Sequence, residues 1–147
     1  MSAYQTVVVG TDGSDTSFRA VERAAALAAD SGATLVIACA YLPDKVDTVA
    51  QDQLGEDAYQ VVGSAPADDT VSRARDRAVA AGASTIETVS AQGKPAATLA
   101  KVVADYHADL LVVGNVGLNT LTGRILGSVP LDVARHAGTD VLIVHTT

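Results

Sequence analysis

Small and polar residues follow two apolar runs of the sequence, at positions where the main chain could come close to a ligand. After the first run these residues are Gly10, Thr11 and Asp12, and after the second they are Gly114, Asn115, Val116 and Gly117. A glycine lacks a side chain and therefore lets the backbone approach another molecule closely. Turns also use glycine for a positive φ without any ligand, so a pair of glycines alone decides nothing.

The second segment is longer than a turn requires and reaches Gly127, Ser128 and Val129, directly before Pro130. A proline in this place indicates that a helix begins here. Free amides at the start of a helix, together with the helix dipole, form an anion site that needs no lysine. Ser128 can cap the helix, donate to a phosphate, or do both. Asp12 likewise has two interpretations, as an acceptor for a ribose hydroxyl and as the cap of a turn.

Five apolar runs have the character of β-strands that would position these segments. They are Thr6–Gly10, Thr34–Cys39, Thr85–Ser90, Leu110–Val113 and Val141–Val144. Four of the runs lack polar alternation, which is typical of strands covered on both faces of a parallel sheet. The run Thr85–Ser90 alternates, which indicates an edge strand.

Between the strands, apolar residues recur with the helical period in four segments. The signals for helix starts are Ser14 or Asp15, Pro66 before the second helix, Pro95 in the first turn of the third, and Ser128. The residues that lie where helices should stop are Gly32, Gly82 and Gly138. This alternation predicts one α/β domain, residues 1–147, with an open and mainly parallel sheet and helices on both faces.

In an open sheet of this kind, ligands bind beyond the carboxyl ends of the strands, where the winding reverses. If the second and third strands extend the sheet on one side of the first, and the fourth and fifth on the other, both glycine-rich segments face a single crevice. The connection Tyr41–Ala65 is longer than usual. The sequence leaves three interpretations of it open: a lid, a short helix around Val46–Leu54, or an irregular segment.

The composition excludes several classes of partner. Acidic residues outnumber basic ones 17 to 10, and the formal charge of −7 disfavours nucleic acid and anionic membranes. Cys39 is the one cysteine, no run has the roughly 20 apolar residues of a membrane helix, and the residues after Met1 lack a secretion signal. We therefore expect a cytoplasmic protein without an internal disulfide. His107, His136 and His145 show no metal-ligand spacing, and we expect neither a metal centre nor a catalytic residue.

The spacing within the second segment resembles the nucleotide motif of the universal stress protein family. In that motif two residues separate the first two glycines, and nine more precede a Gly-Ser or Gly-Thr pair; here the matching residues are Gly114, Gly117, Gly127 and Ser128. Asp12 is similar to the acidic motif that follows the family's first strand. The resemblance covers essentially the whole chain and implies the strand order 3-2-1-4-5.

The resemblance also implies a role for each matching residue. Asp12 would bind a ribose hydroxyl, and main-chain groups of Ala40 would bind the adenine edge. The segment Gly114–Gly117 would pass under the ribose and phosphate, and Gly127–Val129 would hold phosphate oxygens. A homodimer is implied as well, and the apolar strand Val141–Val144 is our candidate for the edge that pairs with a second copy.

The choice of nucleotide depends on charge. Arg124 is the single basic residue between Gly114 and Ser128, which is little for ATP, with or without magnesium. A cyclic monophosphate carries one negative charge, and Gly10 would leave room beside its ribose. The chain also resembles the mycobacterial branch of the family, for which cyclic AMP is the implied ligand. We therefore predict a sensor or buffer of cyclic AMP without chemistry of its own. The alternatives are an ATP-binding form with slow hydrolysis or self-phosphorylation, and a scaffold with an empty crevice.

Overall fold

The structure is a computed structural model that describes residues 3–43, 61–115 and 133–146. Strands and helices alternate along the chain. In order they are β1 (Thr6–Gly10), α1 (Asp15–Ser31), β2 (Thr34–Leu42), β3 (Val61–Val62), α2 (Ser64–Ala80), β4 (Ile86–Gln92), α3 (Pro95–Asp105), β5 (Leu110–Gly114) and β6 (Asp140–Val144). Residues 133–136 are also helical.

The strands form one parallel sheet. β1 pairs with β2 on one side and with β5 on the other, β4 pairs with β2, and β6 pairs with β5. The order β4-β2-β1-β5-β6 is the predicted order 3-2-1-4-5, so the predicted α/β fold is confirmed. The sheet has one strand more than predicted, because the two residues of β3 pair with the end of β2.

Helices cover the sheet on both faces. Val7 and Val9 pack in a cluster with the buried faces of α1 and α2, whereas Val8 packs in a second cluster with α3 and Val133. All three valines of β1 have no exposed surface. This explains why the strand shows no polar alternation in the sequence, since neither of its faces meets water.

Two strands extend beyond their predicted ends by two residues or more. β2 ends at Leu42 and not at Cys39, and β4 runs from Ile86 to Gln92. The two strands extend together, because their register continues as far as Tyr41 opposite Gln92. The last three residues of β2 are half-buried, unlike the fully buried residues before them.

The start of α2 also differs from the prediction. The helix begins at Ser64, so Pro66 lies inside its first turn and not before it. Proline is tolerated there because amides of the first turn have no partner within the helix. Of the long connection between the second strand and this helix, residues 44–60 lie outside the described part. The three interpretations of that segment, including a helix around Val46–Leu54, fall on those residues.

The ends of α1 follow their sequence signals. Ser14, not Asp15, is the N-cap, and its hydroxyl oxygen accepts a hydrogen bond from the Ser17 amide at 3.2 Å. Gly32 ends the helix with a φ of 65°, a left-handed conformation that favours glycine. Within the part of the chain that the structure describes, no helix is long and apolar enough to span a bilayer.

Hydrogen bonds to Asp109 join the amino ends of β1 and β5. Its carboxylate accepts hydrogen bonds from the amides of Gln5 and Thr6, at 3.0 Å each for the shorter contacts. Partial burial raises the pKa of Asp109, but the hydrogen bonds from the Gln5, Thr6 and Asp109 amides outweigh it and lower the pKa below its ordinary value. This contact lies at the edge of the sheet opposite the glycine-rich segments.

Candidate functional site

The carboxyl ends of β1 and β5 lie next to each other. Val9 of β1 is in register with Val112 of β5, so Gly10 and Gly114 end adjacent strands. β2 and β4 extend the sheet from β1 in one direction, and β6 extends it from β5 in the other. The winding therefore reverses between the two glycine-rich segments, which is where open α/β sheets bind ligands.

Asp12 caps the turn that leads into α1. Its Oδ1 accepts hydrogen bonds from the Ser14 amide at 2.9 Å and from the Ser14 hydroxyl at 2.6 Å. Oδ1 of Asp12 therefore caps the turn, which is one of the two predicted roles of this residue. Among the described residues, the hydrogen bonds to Asp12 engage Oδ1, so Oδ2 can accept from a ligand hydroxyl while the turn stays intact.

Thr11 is 8% exposed and uses its side chain inside the protein. Its hydroxyl lies 2.7 Å from the Ser17 hydroxyl and accepts from the Gly13 amide at 3.2 Å. Its own amide donates to the carbonyl oxygen of Ala38 at 3.0 Å. The predicted site residue thus holds the loop after β1 in place through its hydroxyl, and its amide continues the ladder with β2.

Ala40 lies within β2, although the predicted strand Thr34–Cys39 would have ended before it. The carbonyl oxygen of Ala38 accepts from Thr11, and that of Leu42 accepts from Gly63 at 2.7 Å. Peptide groups of alternate residues point to the same side of a strand. The peptide groups of Ala40 therefore point to the same side of β2 as those of Ala38 and Leu42. On this side β1 bonds to β2 before Ala40, and the chain after β3 bonds to it after Ala40. This position is directly beside Thr11 and Asp12 at the strand ends.

Gly10 has a packing reason that the sequence did not predict. A Cβ atom on this residue would lie 2.9 Å from Cδ1 and 3.1 Å from Cδ2 of Leu99, a buried residue of α3. The missing side chain therefore makes room for α3, and the predicted room beside a ribose stays a prediction. The sequence could not show this, because the contact joins residues far apart in the chain.

We expect Gly10→Ala to lower the free energy of unfolding by about 1 kcal/mol, because the buried Leu99 side chain must move. In a Leu99→Val background, where the clashing carbon atoms are fewer, the same substitution should cost about half as much. Urea unfolding of the four variants of this cycle measures both effects. An identical loss in the two backgrounds would show that Leu99 is not the limiting contact.

Two carboxylates lie near Cys39 in β2. The pKa of Cys39 is raised to about 12, first by burial and then by the carboxylates of Asp12 and Asp68. Asp68 of α2 also accepts a hydrogen bond from the Ser90 hydroxyl of β4. These two carboxylates disfavour additional negative charge nearby.

Asn115, directly after β5, binds the residues that follow β6. Its amide donates to the Val144 carbonyl oxygen at 2.9 Å. Its side-chain Oδ1 accepts from the Thr146 amide at 2.8 Å and from the Thr146 hydroxyl at 3.1 Å. Its Nδ2 lies 3.2 Å from Nδ1 of His145. The side chain of Asn115 is thus hydrogen-bonded to the residues that follow β6.

Metal-ligating side chains do not gather at this edge. Across residues 3–43, 61–115 and 133–146, no three His, Cys, Asp or Glu side chains are placed to hold a metal ion. Of the groups described above, the strand ends offer main-chain donors and acceptors and the free oxygen of Asp12. These groups can bind a polar ligand through hydrogen bonds.

Comparison with known proteins places this geometry in a family. The sequence model of the universal stress protein family matches residues 3–145. The chain belongs to the universal stress protein family. Universal stress protein Rv1636 of Mycobacterium tuberculosis is 54% identical over 147 residues, which is all of both chains.

Solved structures agree with this placement. A universal stress protein crystallised in complex with cyclic AMP is 51% identical, has a TM-score of 0.78, and matches 99% of this chain and 100% of its own. The crystal structure of Rv1636 from Mycobacterium tuberculosis is 48% identical and has a TM-score of 0.64. The match covers 100% of this chain and 99% of that structure's chain. The fold of this universal stress protein is therefore that of its relatives in the part of the chain that the structure describes.

Part of the predicted site falls outside the described residues. Gly10, Thr11, Asp12, Ala40, Gly114 and Asn115 are described, whereas Val116, Gly117, Gly127, Ser128 and Val129 are not. The structure thus brings together the half of the site formed by β1, β2 and β5. The phosphate-binding half of the family motif stays a prediction from its spacing.

Proposed function

We propose that this universal stress protein binds cyclic AMP at the carboxyl ends of β1, β2 and β5. One observation carries the proposal: a protein that is 51% identical over 99% of this chain, with a TM-score of 0.78, has been crystallised in complex with cyclic AMP. The order of the strands supports it, because Asp12, Ala40 and Gly114 belong to the carboxyl ends of β1, β2 and β5, and the winding of the sheet reverses between β1 and β5.

Each of these groups fits a part of the nucleotide. Oδ2 of Asp12 would accept from the ribose hydroxyl, and the peptide groups of Ala40 would bind the adenine edge. Gly114 would let the backbone pass close to the ribose. The amides of Gly127–Val129 would then hold the phosphate oxygens, as the motif of the family implies.

Charge favours the cyclic monophosphate over ATP. Asp12 and Asp68 lie close enough to raise the pKa of the Cys39 thiol, and Arg124 is the one basic residue between Gly114 and Ser128. A triphosphate needs several positive partners or a metal ion to offset its charge. A cyclic phosphodiester has a single negative charge, which main-chain amides can satisfy.

Titration calorimetry with cyclic AMP, AMP and ATP, with and without magnesium, tests the proposal. We expect cyclic AMP to bind more tightly than the other two, with no dependence on magnesium. Magnesium-dependent binding of ATP with release of phosphate would instead support an enzyme with slow ATPase or self-phosphorylating activity. No binding of any nucleotide would support a scaffold.

The proposed role is reversible binding, so that the protein senses or buffers the nucleotide in the cytoplasm without altering it. The proposed contacts support this, because they are hydrogen bonds from Oδ2 of Asp12 and from main-chain groups, which hold a ligand reversibly. Recovery of unchanged cyclic AMP and ATP after prolonged incubation with the protein checks it.

We also propose that the protein forms a homodimer through β6. In the described part of the chain, β6 pairs on one side, with β5, and its residues Val141, Leu142 and Ile143 are half-buried. Val144 directs its carbonyl oxygen toward β5, where it accepts from Asn115. By alternation, the peptide groups of Val141 and Ile143 point away from β5 and are placed to pair with a second copy.

We expect Ile143→Pro to convert the dimer to a monomer, because proline removes an outward amide without breaking the ladder between β5 and β6. Leu142→Pro is the matched comparison, since the amide of Leu142 points toward β5 and its loss should unfold the edge. Size-exclusion chromatography with light scattering measures the mass, and circular dichroism the fold. A dimer that survives Ile143→Pro would contradict the proposed edge.

A further inference from the structure

A hydrogen-bonded latch joins the end of β5 to the residues after β6. We define it as Asn115, His145, Thr146 and Arg19. The side chain of Asn115 bonds to His145 and, through Oδ1, to both the amide and the hydroxyl of Thr146. Arg19 of α1 completes the latch, because its Nη1 donates to the carbonyl oxygen of Thr146 at 2.7 Å.

The latch leaves no polar atom of Thr146 without a partner. Thr146 is 2% exposed, yet its amide, hydroxyl and carbonyl oxygen are all hydrogen-bonded. A buried polar residue with every group satisfied favours one conformation, since any other would leave a group without a bond. The last residues therefore hold Asn115 in one orientation.

We infer that this latch positions the backbone of Gly114 for the nucleotide, so that Asn115, Thr146 and Arg19 are positioning residues and not ligand contacts. The inference rests on the proposed function, because Gly114 is the residue that would approach the nucleotide. Asn115 follows it directly and is the point where the chain leaves the sheet. Two anchors fix that point, the main-chain bond to Val144 and the side-chain bonds to Thr146.

Loss of the latch should lower affinity without removing any contact to the ligand. With the side-chain bonds gone, the chain after Gly114 can leave β5 in several directions, and only a fraction of the molecules present the glycine correctly. The apparent dissociation constant rises as the inverse of that fraction. A fraction of about one in five would weaken binding about fivefold.

Variants on the two sides of the latch test the inference. We expect Asn115→Ala to weaken cyclic AMP binding about fivefold, and Thr146→Val and Arg19→Met to weaken it in the same direction by about twofold or more. Thr146→Ser keeps the hydroxyl and should restore the affinity of the unmutated protein. Titration calorimetry gives the dissociation constants, and urea unfolding gives the stability of each variant.

Two controls separate positioning from general loss of stability. Asp109→Asn weakens the contacts at the opposite edge of the sheet and should keep the affinity although it lowers stability. Arg23→Met removes a positive charge from an exposed position on α1 and should also keep it, which excludes an effect of net charge alone.

The outcomes distinguish the inference from the proposed function. Weaker binding by the Thr146 and Arg19 variants, with both controls unchanged, supports the latch. Weaker binding by Asn115→Ala alone would show that Asn115 contacts the ligand directly, and equal losses in Asp109→Asn would show a stability effect; either overturns the inference and leaves the proposed function standing. If the unmutated protein binds no adenine nucleotide, both are overturned together.

Discussion

Gly114→Ala should weaken cyclic AMP binding at least tenfold, about 1.4 kcal/mol, while the protein stays folded. Gly114 is the last residue of β5 and lies beside the end of β1 at the reversal of the sheet. A methyl group there would occupy the space that the proposed ribose and phosphate need, and the ligand could not move away without losing its contacts to Asp12 and Ala40. Titration calorimetry measures the loss.

Gly32→Ala is the matched control for this substitution. Gly32 lies at the end of α1, toward the opposite edge of the sheet, and a Cβ atom on it would meet nothing within 4 Å. Its φ of 65° should make alanine cost about 1 kcal/mol of stability, with no change in affinity. If Gly114→Ala binds cyclic AMP as tightly as the unmutated protein, the end of β5 is not part of the site.

The sequence was sufficient to predict which strands lie together. Uninterrupted apolar runs such as Val7–Val9 and Leu110–Val113 indicated strands covered on both faces, and the alternation of strands with helices left few connections possible. The position of Gly10 beside the end of β5 followed from that order. The turn role of Asp12 was also open to prediction, because aspartate bonds to nearby amides by local geometry.

Contacts between distant segments could not be predicted in the same way. A side chain on Gly10 would collide with Leu99, and Asn115 bonds to Thr146. Both contacts depend on how helices and strands pack in the folded protein. The pairing of β3 with β2 involves two residues, too few for a periodic signal. The sequence predicted nucleotide binding for Gly10 and Asn115, and the structure adds a packing contact for the first and hydrogen bonds to Thr146 for the second.

Phe18→Ala should lower the free energy of unfolding by about 4 kcal/mol. Phe18 is the single phenylalanine of the chain and is 1% exposed in the cluster between α1, α2 and the sheet. The guanidinium carbons of Arg73 and Arg77 lie 5.4 Å and 5.2 Å from its ring centre. Alanine would leave a cavity and remove both cation–π contacts, so that α2 loses much of its attachment to α1.

Urea unfolding measures this loss, and Val79→Ala on α2 serves as the comparison, since Val79 is 57% exposed and its truncation should change stability by less than about 0.5 kcal/mol. A loss below about 1 kcal/mol for Phe18→Ala would contradict its place in the core.

Phe18→Leu connects this test to the site. Because α1 begins directly after the Asp12 turn, a destabilised but correctly built site should still bind, and cyclic AMP at one hundred times its dissociation constant should restore about 2.7 kcal/mol. We compare the increase in the free energy of unfolding that cyclic AMP causes in Phe18→Leu and in the unmutated protein. Equal increases would show that the helix layer supports the fold independently of the contacts that hold the nucleotide.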